Sequence, residues 1–207
     1  MARSEIPDIV VGRLPLYLRA LKRLEQDGTQ ITSSHVLGMH LKISSAQIRK
    51  DLSHFGEFGK QGTGYDVPAL IGELQRILHA DRIWPVALVG VGDLGHALAH
   101  YGGFTNRGFK ITHLFDNDPT KIGQAVNSLL IESNATMEES VRNSKLKVAM
   151  IATPADSAQS VAEQLVRSGV DAILNYAPIT ITVPERIRVQ YIDPVIHLQR
   201  MIYYLHR

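Results

Sequence analysis

The chain has 207 residues, of which 44% are hydrophobic and 20% charged, an ordinary composition for one large globular domain or two small ones. The net charge of +2 is uneven, because residues 1–64 hold nine Lys and Arg against six Asp and Glu, and such an excess suits a phosphate-bearing partner. Cysteine is absent, which excludes disulfides and thiolate metal ligands, so redox sensing would depend on a bound cofactor. No apolar run approaches the roughly 20 residues of a membrane span, and the N-terminus lacks the apolar core of a signal peptide. We therefore expect a cytoplasmic protein without contact to a membrane.

Three short helices are predicted in the first third of the chain. Leucines at helical spacing predict the first over about residues 13–27, and Ser33 or Ser34 can cap the second. The third begins at Ser44 with a capping box, in which the side chains of Ser44 and Gln47 would satisfy each other's end groups. Its core face is expected to consist of apolar residues at helical spacing, namely Ile48, Leu52 and Phe55.

The outer faces of the third helix are typical of a helix that reads DNA. A helix N-terminus and cations attract phosphates, while amide and guanidinium groups can reach base edges in the major groove. The DNA-binding residues predicted on this helix are Ser44, Ser45, Gln47, Arg49 and Lys50. An amphipathic basic helix is also common on ordinary solvated surfaces, so it is the helix-turn-helix order that favours DNA binding.

A glycine-rich segment follows, with four glycines in the nine residues 56–64. It predicts a tight hairpin with Lys60 at its tip, which after a recognition helix is typical of the wing of a winged helix. A phosphate loop is the alternative, but it would need a Gly-Lys-Ser/Thr ending and a preceding apolar strand, and the segment has neither.

The segment at residues 90–95 reads Gly-Val-Gly-Asp-Leu-Gly and directly follows an apolar run at 86–89 that predicts a buried strand. In a dinucleotide-binding turn, Gly90 permits the sharp bend, Gly92 lets the backbone approach the pyrophosphate, and Gly95 lets the next helix pack closely. That helix would direct its N-terminal amide groups at the phosphates. The cofactor-binding residues predicted in this turn are Gly90, Val91, Gly92, Asp93, Leu94 and Gly95.

A second predicted strand, residues 111–115, ends at Asp116, which lies 21 residues after Gly95. An acid at this distance hydrogen-bonds the adenosine ribose and repels a 2′-phosphate, so NADH and NAD+ are favoured over their phosphorylated forms. The alternative is a Rossmann-like domain that binds another nucleotide or coenzyme A.

Strands and helices continue to alternate, which predicts a parallel sheet with its ligand at the carboxyl ends of the strands. Turns at two such ends are candidates for lining the nicotinamide half, although plain turn chemistry explains each position equally well. These candidate residues are Thr153, Pro154, Asn175, Ala177 and Pro178.

A last helix over residues 194–207 carries a wide apolar stripe, which needs burial on its own core or on a partner subunit. Helix-turn-helix proteins usually pair on a two-fold DNA site, so we expect a homodimer that uses this helix.

The predicted fold is α/β, with a winged-helix DNA-binding domain followed by a Rossmann doubly wound parallel sheet and a terminal helix. The first domain would span residues 1–80, with the helix-turn-helix at about 17–56 and the wing at 57–65. The NAD(H)-binding domain would span 84–193, and residues 194–207 would form the dimerisation helix. No metal site is expected.

Five motifs of this chain carry a family resemblance. They are Tyr17-Leu18-Arg19, the segment from Gln47 to Leu52, Gly62-Thr63-Gly64-Tyr65, the segment from Gly90 to Gly95, and Asn175-Tyr176-Ala177-Pro178. In order and spacing, and over nearly the whole chain, they resemble the Rex family of bacterial redox-sensing transcriptional repressors.

The resemblance implies a homodimer that binds inverted-repeat operator sites on double-stranded DNA and exchanges its C-terminal helix between subunits. It also implies that NADH releases the DNA, that NAD+ competes without causing release, and that an interdomain switch network falls on Arg19, Tyr101 and Asp193. Family members commonly have Asn where this chain has Asp93. A carboxylate beside the pyrophosphate should weaken nucleotide affinity or require a compensating cation or proton.

A small NAD-dependent dehydrogenase is an alternative function from a different class. It would need a proton-transfer residue beside the nicotinamide and a substrate pocket. The dinucleotide fold uses nearly all of the about 125 residues that follow the DNA-reading part, and no Tyr-x-x-x-Lys or paired acid and base stands out. We therefore predict a sensor without catalytic residues. A DNA-binding regulator that senses another nucleotide or coenzyme A is the other alternative.

Overall fold

The computed structural model describes residues 6–59 and 63–205. The chain divides into two compact units, Met1–Arg82 and Ile83–Arg207, each with its own hydrophobic core. Among the described residues, no helix is long and apolar enough to cross a membrane.

The first unit combines four helices with a two-stranded sheet. Its helices are α1 (Asp8–Gln26), α2 (Ser34–Leu41), α3 (Ser45–Ser53) and α4 (Val67–Ile77). Its strands, β1 (Ile31–Thr32) and β2 (Tyr65–Asp66), pair antiparallel. All four helices contribute to one core, which includes Leu14, Tyr17, Leu21, Leu37, Ile48, Leu52, Leu70 and Leu74.

Helix α1 begins at Asp8, five residues earlier than the sequence pattern predicts. Pro15 lies inside it and cannot donate the backbone hydrogen bond that an interior helix residue normally supplies. Val10, which is 4% exposed, and the fully buried Leu14 lie one turn apart on the core face. Their burial offsets the missing hydrogen bond and extends the helix past the proline.

Side-chain caps fix the starts of the two short helices. The hydroxyl of Ser33 accepts a hydrogen bond from the Val36 N–H at 3.2 Å, and the hydroxyl of Ser44 accepts one from the Gln47 N–H at 3.2 Å. Lys42 forms the turn between α2 and α3 in the left-handed conformation, with a φ of 56°.

The reciprocal half of the predicted capping box is wrong. The Gln47 side chain donates through Nε2 to Oδ1 of Asp51 at 2.6 Å, and within the described residues it receives no hydrogen bond from the Ser44 N–H. The charge-assisted bond that the amide donates to a carboxylate is stronger than the neutral bond that the amide oxygen would accept from the Ser44 N–H, so the glutamine turns along the helix rather than back to its start.

The predicted wing at residues 57–65 has a different strand pairing from the one expected. Residues 54–59 form no strand, and β2 pairs with β1, which precedes α2 and contributes two β-branched residues. Gly59 and Gly64 still approach each other, because a Cβ on Gly59 would overlap the Gly64 carbonyl oxygen. Lys60, the predicted tip of the hairpin, lies outside the described residues.

The second unit is built on a seven-stranded sheet. Its strands are β3 (Trp84–Val89), β4 (Phe109–Asp116), β5 (Ala125–Val126), β6 (Leu129–Ser133), β7 (Val148–Ile151), β8 (Ala172–Asn175) and β9 (Arg188–Tyr191). Its helices are α5 (Asp93–His100), α6 (Met137–Asn143), α7 (Ala155–Arg167) and α8 (Pro194–Tyr203).

The strands lie in the order β5-β6-β4-β3-β7-β8-β9, and every neighbouring pair is parallel except β5 with β6. Without β5, the parallel strands follow the spatial order third, second, first, fourth, fifth, sixth. That is the order of a doubly wound dinucleotide-binding sheet, and the predicted fold class is confirmed.

Alternate residues of the central strand β3 enter two different cores. Ala87 and Val89 belong to the core that α6 and α7 cover, whereas Val86 and Leu88 belong to the core that includes Ala99 of α5. All four strand residues are 0% exposed. The sheet is therefore covered on both faces, which explains why this strand reads as an unbroken apolar run.

Helix α8 is exposed along its whole length in the single chain. Asp193 caps it by accepting a hydrogen bond from the Val195 N–H at 2.9 Å, and the helix ends at Tyr203 rather than at residue 207. No described residue of α8 is buried, and Leu198 and Met201 are 58% and 64% exposed. Its apolar stripe is therefore left uncovered by the described part of its own chain.

Candidate functional site

The sheet reverses its winding between β3 and β7. The chain places β4 and β6 on one side of β3, and β7, β8 and β9 on the other. In open parallel sheets such a reversal leaves a crevice at the carboxyl ends of the two strands, where ligands bind. Gly90 follows β3 and Thr153 follows shortly after β7, and a Cβ on Gly90 would lie 2.9 Å from Cγ2 of Thr153. The structure therefore brings the predicted glycine turn and threonine turn together.

The three glycines of the turn meet different surroundings. Gly90 has a φ of +92°, and a Cβ there would lie 2.7 Å from the Ala152 carbonyl oxygen. A Cβ on Gly95 would overlap the Gly90 carbonyl oxygen, so this glycine lets α5 pack against the turn. A Cβ on Gly92, the N-cap of α5, would meet nothing within 4 Å. Gly90 and Gly95 are required by the fold, whereas Gly92 faces open space that a ligand can approach.

Asp116 ends β4 beside this turn and is 5% exposed. Its Oδ2 accepts a hydrogen bond from the Val91 N–H at 2.7 Å, and its Oδ1 accepts one from the Asp118 N–H at 2.9 Å. Burial alone would raise the pKa of this carboxyl group, but these bonds and Lys121 hold the pKa below its ordinary value. Asp116 is therefore an ionised acceptor at the position expected for ribose hydroxyls.

Lys121 is a charged neighbour of this acid that the sequence analysis did not identify. Its Nζ lies 3.3 Å from Oδ2 of Asp116 and 3.9 Å from Oδ2 of Asp118. The only sequence signal was a lysine within five residues of the acid, which by itself does not distinguish a partner from a solvated loop residue.

The turn after β7 carries an unsatisfied polar atom. Oγ1 of Thr153 is buried and has no hydrogen-bond partner among the described residues, although buried hydroxyl groups are normally paired. Pro154 follows as the N-cap of α7, which therefore begins at the same edge of the sheet. The open end of α5, the ionised Asp116 and this unpaired hydroxyl fit a dinucleotide that carries phosphates, ribose hydroxyls and a polar head group.

Asn175 ends β8 but is 0% exposed. Its Nδ2 donates to the carbonyl oxygens of Ala177 and Ile179 at 3.2 and 2.9 Å, and its Oδ1 accepts from the Ala177 N–H at 3.0 Å. The side chain thus holds the loop after β8 in shape. Of the three residues predicted here, only Pro178 is exposed, since Ala177 is also buried.

The predicted residues inside the glycine turn also differ in their exposure. Val91 is 5% exposed, and its N–H is already bonded to Asp116. Asp93 and Leu94 begin α5 and are exposed. The carboxylate of Asp93 therefore stands at the helix end where phosphates are expected.

Helix α3, the predicted recognition helix, exposes the predicted side chains to different degrees. Ile48 and Leu52 are buried, and Phe55 packs against the same core, as predicted. Arg49 and Lys50 are exposed, and Nη1 of Arg49 donates to the hydroxyl of Ser34 on α2 at 3.0 Å. The remaining predicted residues of this helix are Ser44, which is exposed, and Ser45 and Gln47, which are half-buried.

A buried acid behind this helix was missed by the sequence analysis. The side chain of Asp51 is 0% exposed and forms an ion pair with Arg13 of α1, whose Nε lies 2.5 Å from Oδ2. Burial favours a higher pKa for Asp51, yet hydrogen bonds from Arg13, Tyr17 and Gln47 hold the pKa below its ordinary value. Arg13 and Tyr17 lie one turn apart on α1, and this spacing was the available signal.

Because the pKa of Asp51 is lowered in the folded protein, we expect the first unit to lose stability in acid. The contribution is complete above the ordinary pKa of 3.8 and disappears as the pH falls through the lower folded value. Urea unfolding followed by circular dichroism, repeated downward from about pH 5, should show a falling midpoint. The Asp51→Asn variant should be less stable at neutral pH and show a shallower decline, and an equal decline in both proteins would contradict the assignment.

Comparisons with known proteins bear on both units. A family model described as the CoA binding domain matches residues 81–179, and a model of DNA-binding protein N-termini matches residues 5–53. A relative from Chloroflexus aurantiacus, named redox-sensing transcriptional repressor Rex, is 51% identical over 208 residues, covering 100% of this chain and 98% of the relative. The chain belongs to the Rex family.

Solved structures of a Rex-family repressor named RSP share the fold of this chain. The RSP complex with β-NAD+ and operator DNA has a TM-score of 0.93 at 33% identity, and covers 98% of this chain and 93% of that one. The RSP complex with β-NADH has a TM-score of 0.89 at 30% identity, and the match covers 98% of this chain and 95% of that one. The curated Rex relatives are named as repressors rather than as enzymes.

The residues that the Rex resemblance assigns to a switch lie in both units. Arg19 is an exposed residue of α1 in the first unit. In the second unit, Tyr101 is 51% exposed with its ring edge-on to Phe104 at 5.0 Å, and Asp193 caps α8. Their joint role stays a prediction. Among the described residues, no group of three His, Asp or Glu side chains is arranged to hold a metal ion.

Proposed function

We propose that this Rex-family chain is a transcriptional repressor that binds operator DNA as a homodimer and is released when NADH binds. The observation that carries the proposal is that one chain holds both an open dinucleotide crevice and a capped, basic recognition helix. The RSP complexes with β-NAD+ and operator DNA, and with β-NADH, support these two kinds of ligand. The protein would then report the NADH/NAD+ ratio of the cytoplasm.

Each part of the crevice has a role in this proposal. Asp116 accepts hydrogen bonds from the adenosine ribose, and the N-terminus of α5 at Gly92 faces the pyrophosphate. Thr153, Pro154 and Pro178 line the nicotinamide end, where Asn175 holds the loop. NAD(H) is a signal rather than a reactant here, because the oxidation state of its ring distinguishes the two conditions that are sensed.

Release of DNA by NADH is a coupling between two binding equilibria. NADH can displace the operator only through its different affinities for the DNA-binding form and the released form of the dimer. A change in operator occupancy from about 90% to about 10% requires on the order of 2–3 kcal/mol, which is within the usual range of allosteric coupling. Arg19, Tyr101 and Asp193 are the residues proposed to carry it.

The domain assignment is part of the proposal. Residues 1–80 would bind DNA, residues 84–193 would bind NAD(H), and residues 194–207 would join the subunits. The exposed stripe of α8 supports the third assignment, since a stripe of this kind requires a covering surface. Two chains related by a two-fold axis would place two recognition helices on an inverted repeat.

Fluorescence anisotropy on a labelled inverted-repeat operator tests the function directly. Protein alone and protein with NAD+ should bind the DNA, and protein with NADH should release it. Binding that ignores both nucleotides but responds to coenzyme A would favour the alternative that the match to the CoA binding domain suggests. Oxidation of added NADH by any small acceptor would favour a dehydrogenase.

The Lys50→Ala variant should bind operator DNA about tenfold more weakly, with its NADH affinity unchanged. Lys50 is an exposed cation of α3, and a phosphate contact contributes affinity that depends on salt rather than on sequence. Anisotropy over a range of salt concentrations should show the slope of log K against log salt reduced by about one. Arg23→Ala removes an exposed cation of the same unit outside α3 and serves as the control, and normal binding by Lys50→Ala would contradict the recognition-helix assignment.

The Asp93→Asn variant should bind NADH more tightly, by about fivefold or more. The carboxylate of Asp93 stands exposed at the N-terminus of α5, and two like charges about 4 Å apart repel by about 1 kcal/mol even in water. Titration of NADH fluorescence measures the change. Glu139→Gln removes an exposed charge from the first turn of α6 and should leave the affinity unaltered, and equal affinities in Asp93→Asn and the parent would show that Asp93 does not face the phosphates.

A further inference from the structure

The buried carboxylate of Asp51 holds the amide of Gln47 in one orientation. Nε2 of Gln47 lies 2.6 Å from Oδ1 of Asp51, one turn further along α3. An ionised carboxylate can only accept hydrogen bonds, so the amide nitrogen must face Asp51 and the amide oxygen must point away from it. The usual ambiguity between the two ends of a glutamine amide is therefore resolved by chemistry.

Asp51 is itself fixed from three sides. Its Oδ2 accepts from Nε of Arg13 and from the hydroxyl of Tyr17, both at 2.5 Å, and its Oδ1 accepts from Nη2 of Arg13 at 2.8 Å as well as from Gln47. Two hydrogen bonds on each oxygen use the four acceptor positions of a carboxylate. The Asp51 side chain is fully buried, so it has no room to rotate and no water competes for its oxygens.

We infer that Asp51 is a positioning residue that sets which base Gln47 reads, an inference that rests on the proposed DNA-binding function. With Nε2 held toward Asp51, Gln47 offers the major groove its carbonyl acceptor and one remaining amide hydrogen. This pair complements the N6 donor and N7 acceptor of adenine, whereas guanine presents only acceptors there. We therefore expect Gln47 to select adenine at one position of each half-site.

Asparagine at position 51 should reverse this preference. Its Oδ1 can still accept from the hydroxyl of Tyr17, while its Nδ2 becomes a donor that pairs with the amide oxygen of Gln47. Gln47 would then turn over and present its NH₂ group outward, which favours the acceptors of guanine or thymine. If Asp51 only supported the fold, its loss would weaken binding to all sequences alike.

The experiment selects bound DNA from a pool of duplexes with a randomised central segment, using the full chain and sequencing the bound fraction. The reversing variant is Asp51→Asn with Arg13→Met, because the second change removes the half-buried cation that the first would leave without its counter-ion. Gln47→Met is the matched variant that removes the amide but keeps its length. Circular dichroism melting shows that each variant is folded at the temperature of selection.

We expect the parent to select adenine at one half-site position, and the reversing variant to change the ratio of adenine to guanine or thymine there by about tenfold or more. Gln47→Met should lose the preference at that position alone. When Gln47→Met is present, adding the two other substitutions should change affinity but not the base ratio, because the coupling runs through the amide.

An unaltered base preference in the reversing variant, together with its loss in Gln47→Met, would overturn the inference. The same holds for a reversing variant that loses affinity equally for every sequence. A parent protein that selects no sequence at all would instead contradict the proposed repressor function, so the two failures are distinguishable.

Discussion

Replacing Asp116 with alanine should produce a repressor that stays on its operator at NADH concentrations that release the parent protein. The carboxylate is the ionised acceptor proposed for the ribose hydroxyls, and it also holds the Val91 and Asp118 amides. Hydrogen bonds to a charged group contribute roughly 1.5–3 kcal/mol each. Losing the two that Asp116 is proposed to accept from the ribose hydroxyls should therefore weaken NADH binding by about 100-fold or more. Isothermal titration calorimetry with NADH measures the loss of nucleotide affinity. Operator anisotropy on the same preparation measures whether the DNA stays bound.

The control for this variant lies two residues along the same loop. Asp118 is more exposed, and its side chain accepts hydrogen bonds from Thr120 rather than from the glycine turn. Asp118→Ala should therefore change the NADH affinity only slightly. Release of DNA by NADH at the normal concentration in Asp116→Ala would show that the nucleotide does not use this acid, and loss of DNA binding by both variants would indicate a damaged fold.

Polar substitutions on α8 should separate the subunits and remove tight operator binding. Leu198 and Met201 are more than half exposed in the single chain, and burying a side chain of this size contributes roughly 1.5–3 kcal/mol. Two subunits would lose this contribution together in Leu198→Ser/Met201→Ser, which predicts a monomer by sedimentation velocity. A monomer contacts a single half-site, so operator affinity should fall by about 100-fold or more.

Gln199→Ala is the matched control, since it changes an exposed polar residue of the same helix outside the two apolar positions. It should remain dimeric and bind the operator normally. A chain shortened to end before Pro194 provides a second test of the helix as a whole. If that shortened chain still sediments as a dimer, the subunits associate through another surface.

The sequence was sufficient to predict those elements whose local pattern matches their environment. The apolar run at 86–89 is buried on both faces, and the glycines at 90, 92 and 95 have the three different surroundings that their roles require. By contrast, β9 is an edge strand with mostly exposed residues, and β5 has only two residues, so neither has the apolar run that identified β3, β4, β7 and β8.

The side-chain and strand partners that the sequence did not predict are mostly contacts between distant segments of the chain. Asp51 and Arg13 are separated by 38 residues, and only the folding of α1 and α3 into one core brings their charges together. The sequence placed Asn175 correctly at a strand end but could not show that its amide is used by the loop itself. The pairing of β2 with β1 likewise joins segments more than 30 residues apart, which no local turn pattern reveals.

The bond between the Val91 N–H and Asp116 has a consequence for how ligand binding is converted into a signal. It ties the glycine turn to the end of the neighbouring strand at 2.7 Å. A turn that is already held in place loses little conformational entropy when its ligand binds. Little of the interaction energy is therefore consumed in ordering the loop. In the proposed mechanism, more of the binding energy of NADH then remains in the form that binds it best, and the difference in NADH affinity between the two forms is what changes the DNA occupancy.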